Sequence, residues 1–179
     1  MSEQYFTPPA HALNEADFVQ RFGGVYEHSP WIAQQCHQKG LSEQENTPAG
    51  LSAALQVVVA GASREQLMDL INAHPDLAGK AAVQGTLTAE STSEQSSAGI
   101  DQCSAEEFER FQRFNAAYKD KFGFPFIMAV KGSNRHLILA AFEERLENDA
   151  ETEYQRAISE INKIARFRLD AIAAESTEG

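Results

Sequence analysis

The run His74-Pro75-Asp76-Leu77-Ala78-Gly79-Lys80 sets an imidazole at a helix break. Proline has no amide hydrogen and disfavours helical geometry in the residue before it, so the preceding helix must stop at or just before His74. An imidazole at a helix C-terminus feels the negative end of the helix dipole, and histidine is the side chain best suited to exchanging protons near neutrality. Two readings stay open on this feature: a capped helix end with a surface histidine, and a proton-handling group at a cavity. Ser91-Thr92-Ser93-Glu94-Gln95 also reads two ways. As structure it is a capping box, with Ser91 as N-cap and Glu94 at the third helical position. As function it is a helix start whose amides face an anion, while Glu94 and Gln95 offer an acceptor and an acceptor-donor pair to a polar ring. The third stretch is Phe124-Pro125-Phe126-Ile127-Met128-Ala129-Val130-Lys131-Gly132. Pro125 holds Phe124 out of helical geometry and Gly132 follows too soon for a long helix, which predicts an irregular apolar segment over 124–132. Its backbone groups need partners, which either neighbouring helices or a small amide-rich heterocycle can supply. Lys131 is a surface charge or a cation aimed into the cavity, and Lys80 and Arg135 are further cations available to an anionic substrate.

The elements that must position these groups are all helical. Ser63 and Gln66 form a capping box that opens the helix leading to His74, and Leu67, Leu70 and Ile71 are its buried stripe. Before it, Asn14 caps a helix bearing Phe18, Phe22, Val25 and Tyr26, weakened at Gly23-Gly24. Ser29-Pro30 restarts the helix with Trp31, Ile32 and Cys36, Trp31 being read as a core anchor. Thr47-Pro48 opens a helix with Leu51, Ala54, Leu55, Val58 and Val59 that is expected to be largely buried. The polar stretch 84–99 has the composition of a loop. Ser104 and Glu107 form another capping box, ahead of an aromatic face of Phe108, Phe111, Phe114, Tyr118 and Phe122 that is assigned to the core and ends at Gly123. Ser133 or Asn134 caps a helix with Leu137, Ile138, Ala141, Phe142 and Leu146, and Asp149 opens a long last helix through Ala157, Ile158, Ile161, Ala165, Leu169 and Ile172. Glu160 with Lys163, and Glu143, Glu144, Arg145 and Glu147, are read as solvated faces. No internal repeat, strand alternation or Gly-rich phosphate loop is visible. The fold class is therefore all-α, a compact bundle of about eight helices by periodicity. Residues 1–179 are expected to form a single domain, with residues 1–13 an arm lying on it.

Composition narrows the function classes. The 179 residues suffice for one well-buried domain, and 42% hydrophobic with 23% charged residues is ordinary for a globular protein. A net charge of −11, with 15 scattered Lys and Arg residues, argues against a nucleic-acid partner. No stretch approaches the roughly 20 apolar residues that span a bilayer, which argues against a membrane role. The first residues lack a signal-peptide pattern and the last are no peroxisomal address, so a cytoplasmic location is expected. Cys36 and Cys103 stand far apart without metal-ligand spacing and are read as reduced and packed.

The runs HPDLAGKAA (74–82), LTAESTSEQSSAGI (87–100) and YKDKFGFPFIMAVKG (118–132) resemble signatures of the 2-oxo-4-hydroxy-4-carboxy-5-ureidoimidazoline (OHCU) decarboxylases of urate degradation. The resemblance extends to the region from Phe22 to Trp31 and to Arg135 through Leu169. It implies an all-helical homodimer that uses no metal and no organic cofactor. It also implies a small anionic heterocyclic substrate formed by hydrolysis of 5-hydroxyisourate, with (S)-allantoin and CO2 as products. On this resemblance His74 and Glu94 are the catalytic groups. Pro75, Ser91, Gln95, Phe126, Ile127, Met128, Ala129, Val130 and Lys131 fall on its substrate-binding positions. Some relatives carry Arg at the position of Lys131, and lysine does not make the same two-pronged contact. Two other readings stand beside it. One is a hydrolase of a related ureide or cyclic amide, in which His74 and Glu94 activate water with Asp76 at a metal. The other is a non-enzymatic helical interaction module that uses the aromatic stripes as a groove.

Overall fold

The computed structural model describes residues 3–79 and 85–178, with side chains through residue 176. Lys80 and the end of the HPDLAGKAA run lie outside the described residues. Among the described residues the structure is helical with no strand, as the absence of two-residue alternation requires. It divides into two compact units, Met1–Ala73 with Asn162–Gly179, and His74–Ile161.

In the first unit, the Asn14 side chain accepts a hydrogen bond from the Asp17 amide at 2.8 Å and starts α1, Glu15–Phe22. The Gly23-Gly24 pair ends it in a 3-10 turn, Gly23–Val25. Phe18, Phe22, Val25 and Tyr26 are buried as their spacing predicts. The second helix, α2, is Trp31–Gln38. Its buried stripe is Ile32, Ala33 and Cys36, and Trp31 is only half-buried on the flank of that stripe. The expectation of Trp31 as a core anchor is thereby corrected. Burial pushes the Cys36 thiol up to about 11, so it is a packing group rather than a thiolate.

The third helix, α3, is Pro48–Ala60, opened by the Thr47 hydroxyl on the Gly50 amide at 3.0 Å. A Cβ at Gly50 would fall 1.8 Å from the Gln44 carbonyl oxygen, so only glycine lets this first turn press on the preceding segment. Leu51, Leu55, Val58 and Val59 are buried, but Val57 is 59% exposed. The expected stripe is thus largely buried, and Val57, outside it, faces away from the core. In α4, Arg64–Ala73, the expected capping box is present, with Ser63 and Gln66 exchanging hydrogen bonds at 3.0 and 3.1 Å.

The N-terminal arm is part of this unit's core. Phe6 is buried, its amide donates to the Asn46 carbonyl at 3.1 Å, and the Ala10 amide donates to Asn46 Oδ1 at 2.8 Å. Arg21 donates to the carbonyls of Pro8 and Thr7 at 2.9 and 3.0 Å and to the Ser176 hydroxyl. The last helix, which supplies Ser176, also supplies Arg168, whose buried guanidinium pairs with the buried Glu27 at 2.8 Å. Truncating a fully buried phenylalanine costs about 3–5 kcal/mol, so Phe6→Ala should lower the unfolding free energy by that amount. Urea titration checks this, and an unshifted midpoint would remove the arm from the core.

Candidate functional site

The candidate residues lie in the second unit, which begins with the loop that follows α4. His74 is 8% exposed and sits at the expected helix break. The chain then turns sharply, because Ala78 adopts φ +53°, in the left-handed region that L-residues avoid. Gly79 completes the turn where a Cβ would meet Asp76 Cβ at 2.6 Å. Such a conformation persists only if its surroundings over-determine it. Here the Ala78 amide donates to Gln95 Oε1 at 3.0 Å, and Gln95 Nε2 donates to the Asp76 carbonyl at 3.3 Å. From a second helix, Gln112 Nε2 donates to the Ala78 carbonyl at 2.6 Å and Asn115 Nδ2 to the Leu77 carbonyl at 2.9 Å. Lys119 pairs with the Asp76 carboxylate.

Gln95 belongs to α5, Ala89–Ser97, which replaces the expected polar loop over much of its length. Its N-cap is Thr88, whose hydroxyl accepts from the Ser91 amide at 3.2 Å. The predicted Ser91–Glu94 capping box is therefore incorrect: Thr88 competes for the same role three residues earlier. That shift puts Ser91 at the third helical position, one turn from Gln95 and on the same buried face, with Glu94 half-buried beside them. It also moves the helix start away from Ser91, so the anion-binding helix terminus does not form there. What the structure brings together is the loop after His74 and the Ser91/Gln95 face.

Gln112 and Asn115 belong to α6, Ala105–Phe122, which starts with the predicted Ser104–Glu107 box and ends at Gly123 with φ +79°. The aromatic face is core at Phe111, Tyr118 and Phe122, while Phe108 is 37% exposed. Glu107 also takes Arg135 Nε on both oxygens, at 3.1 and 3.0 Å. Arg135 is thus committed to neutralising a carboxylate. The amide of Ser104 first and the Arg135 guanidinium after it hold the Glu107 carboxyl below its ordinary value.

The segment after Gly123 is neither helix nor strand through Val130, as predicted. Phe126 is a core side chain, stacked on Phe142 with centroids 3.7 Å apart and lying 4.3 Å beneath the Arg145 guanidinium. Ile127 and Val130 are buried, Met128 and Ala129 half-buried, and Lys131 exposed. Three backbone groups are already occupied: the Ile127 carbonyl by Arg145 Nη1 at 2.6 Å, the Ala129 amide by Glu160 Oε1 at 3.3 Å, and the Val130 carbonyl by the Ser133 amide at 2.9 Å.

This arrangement corrects the reading of Arg145 and Glu160 as solvated. Arg145 closes α7, Arg135–Arg145, and is 2% exposed. Its partner Glu153, wholly buried, lies in α8, Ala150–Glu178, which Asp149 opens by accepting from the Thr152 amide at 2.7 Å. Glu153 Oε1 accepts from Arg145 Nε at 2.7 Å and from the Tyr118 hydroxyl at 2.6 Å, and Oε2 accepts from Asn148 at 2.9 Å. Burial and then the Glu153 hydrogen bond push the Tyr118 hydroxyl far above its ordinary range. A buried Arg carries no mark in a run of charged residues, and only the turn at Asn148-Asp149 brings it to Glu153. Leu137, grouped with the same helix's apolar residues, is 56% exposed. Among the described residues no three His, Cys, Asp or Glu side chains gather where a metal ion could sit.

The model of the OHCU decarboxylase family matches residues 11–170, across both compact units. The chain belongs to that family. It is 40% identical over 157 residues to the OHCU decarboxylase of Haloferax volcanii, covering 88% of this chain and 89% of that one. Among solved structures it is similar to an (S)-allantoin synthase with a TM-score of 0.71 at 31% identity, covering 91% of this chain and 52% of that chain, so it spans about half that protein's length. It is also similar to an OHCU decarboxylase crystallised in the presence of (S)-allantoin, with a TM-score of 0.66 at 25% identity, covering 84% of this chain and 95% of that one.

Two outcomes follow from the site's electrostatics. Removing one partner of a buried ion pair strands the other charge, so Glu153→Gln should cost about 3–5 kcal/mol in denaturant unfolding. Glu107 has a depressed native pKa, so its contribution is fully present above the ordinary value of 4.5 and is lost as pH falls through the lower native one. The acid limb of the stability curve should therefore flatten in Glu107→Gln, measured by thermal unfolding from pH 3 to pH 6.

Proposed function

We propose that the protein is a carboxy-lyase that converts 2-oxo-4-hydroxy-4-carboxy-5-ureidoimidazoline to (S)-allantoin and CO2. The proposal includes a single working domain of residues 1–179 with residues 1–13 as its arm, acting as a homodimer in the cytoplasm without metal or organic cofactor. The observation that supports it most is a family match spanning nearly the whole chain together with a buried imidazole on a loop whose backbone is clamped by side-chain amides. The comparisons favour neither the hydrolase nor the interaction-module reading.

The chemistry suits these groups. When the carboxylate leaves as CO2, the electrons of the broken C–C bond form a bond to the neighbouring ring carbon, whose C=N accepts them onto nitrogen. No further electron sink is needed. The resulting enol becomes the carbonyl of allantoin when a proton reaches one face of that neighbouring carbon. His74 is the group that contacts the carboxylate or ring hydroxyl and handles the proton. A positioned acid or base contributes typically about 10²–10⁴-fold. Glu94 accepts hydrogen bonds from ring or ureido N–H groups and fixes orientation. Ser91 and Pro75 line the same edge. Gln95, whose amide holds the loop, contributes with what hydrogen-bonding capacity remains. From Phe126 to Lys131, recognition falls to backbone groups without a partner among the described residues: the amides of Ile127, Met128 and Val130, and the carbonyls of Met128 and Ala129.

Circular dichroism of freshly generated substrate, with and without the protein, tests the reaction, because catalysis produces one enantiomer faster than the racemic background. His74→Asn should lower stereospecific turnover by about 10²-fold or more, with (S)-allantoin still bound. Near-normal stereospecific formation of allantoin by that variant would remove His74 from the proton step. Light scattering should report a dimer.

A further inference from the structure

Two costly features meet in the loop just after His74. Ala78 is one of two non-glycine residues with positive φ among the described residues, the other being His28. Asn115 Oδ1 is the buried side-chain atom that lacks a hydrogen-bond partner among them, and Asn115 is one of the residues clamping that loop. Strained backbone and unsatisfied buried acceptors persist where something other than stability is served.

We propose that Gln112 and Asn115, acting through the backbone of Leu77 and Ala78, are positioning residues for the His74 imidazole. The proposal rests on the reading of His74 as the proton-handling group. The two side chains stand three residues apart on one face of α6 and donate to successive carbonyls, so together they fix the orientation of two consecutive peptide planes. Gln95 fixes the intervening Ala78 amide from the other helix, leaving that residue no conformational freedom. Between the clamped carbonyls and His74 stand Pro75, whose ring locks φ, and Asp76, which is itself held through its carbonyl by Gln95 Nε2 and through its carboxylate by Lys119, so the restraint runs unbroken toward the imidazole. The donors are neutral. An arginine or lysine at either position would hold the carbonyl equally well but would place a positive charge near an imidazole that must gain and lose a proton. Asn115→Leu removes the orphaned acceptor along with the donor and leaves the Leu77 carbonyl without that partner, so its effects on folding partly cancel.

The test uses the full chain with Gln112→Met, Asn115→Leu and Gln112→Glu, following stereospecific (S)-allantoin formation, (S)-allantoin affinity and thermal unfolding. Misplacement of a reacting group by about 1 Å can cost on the order of 10²-fold, so kcat should fall at least about 10-fold while KM and product affinity stay within about threefold. Gln112→Glu has nearly the shape of the native residue and serves as the second variant if the methionine one does not fold. Its carboxylate repels the Ala78 carbonyl at neutral pH, whereas the protonated acid donates to it. Its rate relative to the native protein should therefore recover as pH falls through the new carboxyl's titration. A kcat within about twofold of native in the folded variants, or a Gln112→Glu profile parallel to native at every pH, overturns the positioning role even where His74→Asn is inactive. A native protein that forms no excess of (S)-allantoin overturns the decarboxylase reading instead.

Discussion

An ion pair that water does not reach holds the second unit's irregular segment in place. Taking Arg145 and Glu153 out of water carries a penalty that their attraction alone does not repay. The repayment comes from completeness. Glu153 takes hydrogen bonds from Arg145, Tyr118 and Asn148, and Arg145 donates through Nη1 to the Ile127 carbonyl and through Nη2 to the Tyr118 hydroxyl while its plane lies on Phe126. A chain segment outside helix and sheet has no ladder to satisfy its backbone, and here side-chain charges take the ladder's place. Glu160 does the same for the Ala129 amide.

Carboxylate partners also shape how a protein with a net charge of −11 can receive an anion. Arg145, Arg135 and Lys119 are each committed to an acidic side chain. They build the frame instead of supplying free positive charge. In the proposed reaction the imidazole, side-chain amides and backbone N–H groups, with Glu94 and Lys131, orient the substrate through directed hydrogen bonds. The acidic surface and an anionic substrate are therefore compatible.

Much of this was legible in the sequence, and for stated reasons. Capping boxes at Ser63 and Ser104, Thr47-Pro48, and the proline and glycine boundaries of 124–132 are local devices whose partners lie within a few residues. They read correctly because nothing distant competes with them. The misreadings share the opposite property. Ser91 has the pattern of a cap, but Thr88 has it too, and only packing decides which one starts the helix. Arg145 and Glu160 look like surface charges because what buries them lies outside their own helices: Glu153 and the Ile127 carbonyl for Arg145, the Ala129 amide for Glu160. The clamp on Ala78 is invisible for the same reason: nothing in Gln112 or Asn115 announces a carbonyl more than thirty residues away. His74, by contrast, was marked by Pro75.

Arg21 carries a consequence of another kind. One guanidinium nitrogen touches both the Thr7 carbonyl and the Ser176 hydroxyl, so these two positions lie within a few ångströms of each other. Ends held that close can be joined by a short linker at little entropic cost, because closing a small loop restrains few residues. The path from Thr7 to Ser176 is thus topologically close to a ring. It could be reopened at an exposed turn such as Gly40 or Gly132, neither of which meets any neighbour at the position of a Cβ. A circular permutant cut there would retain every contact described around His74.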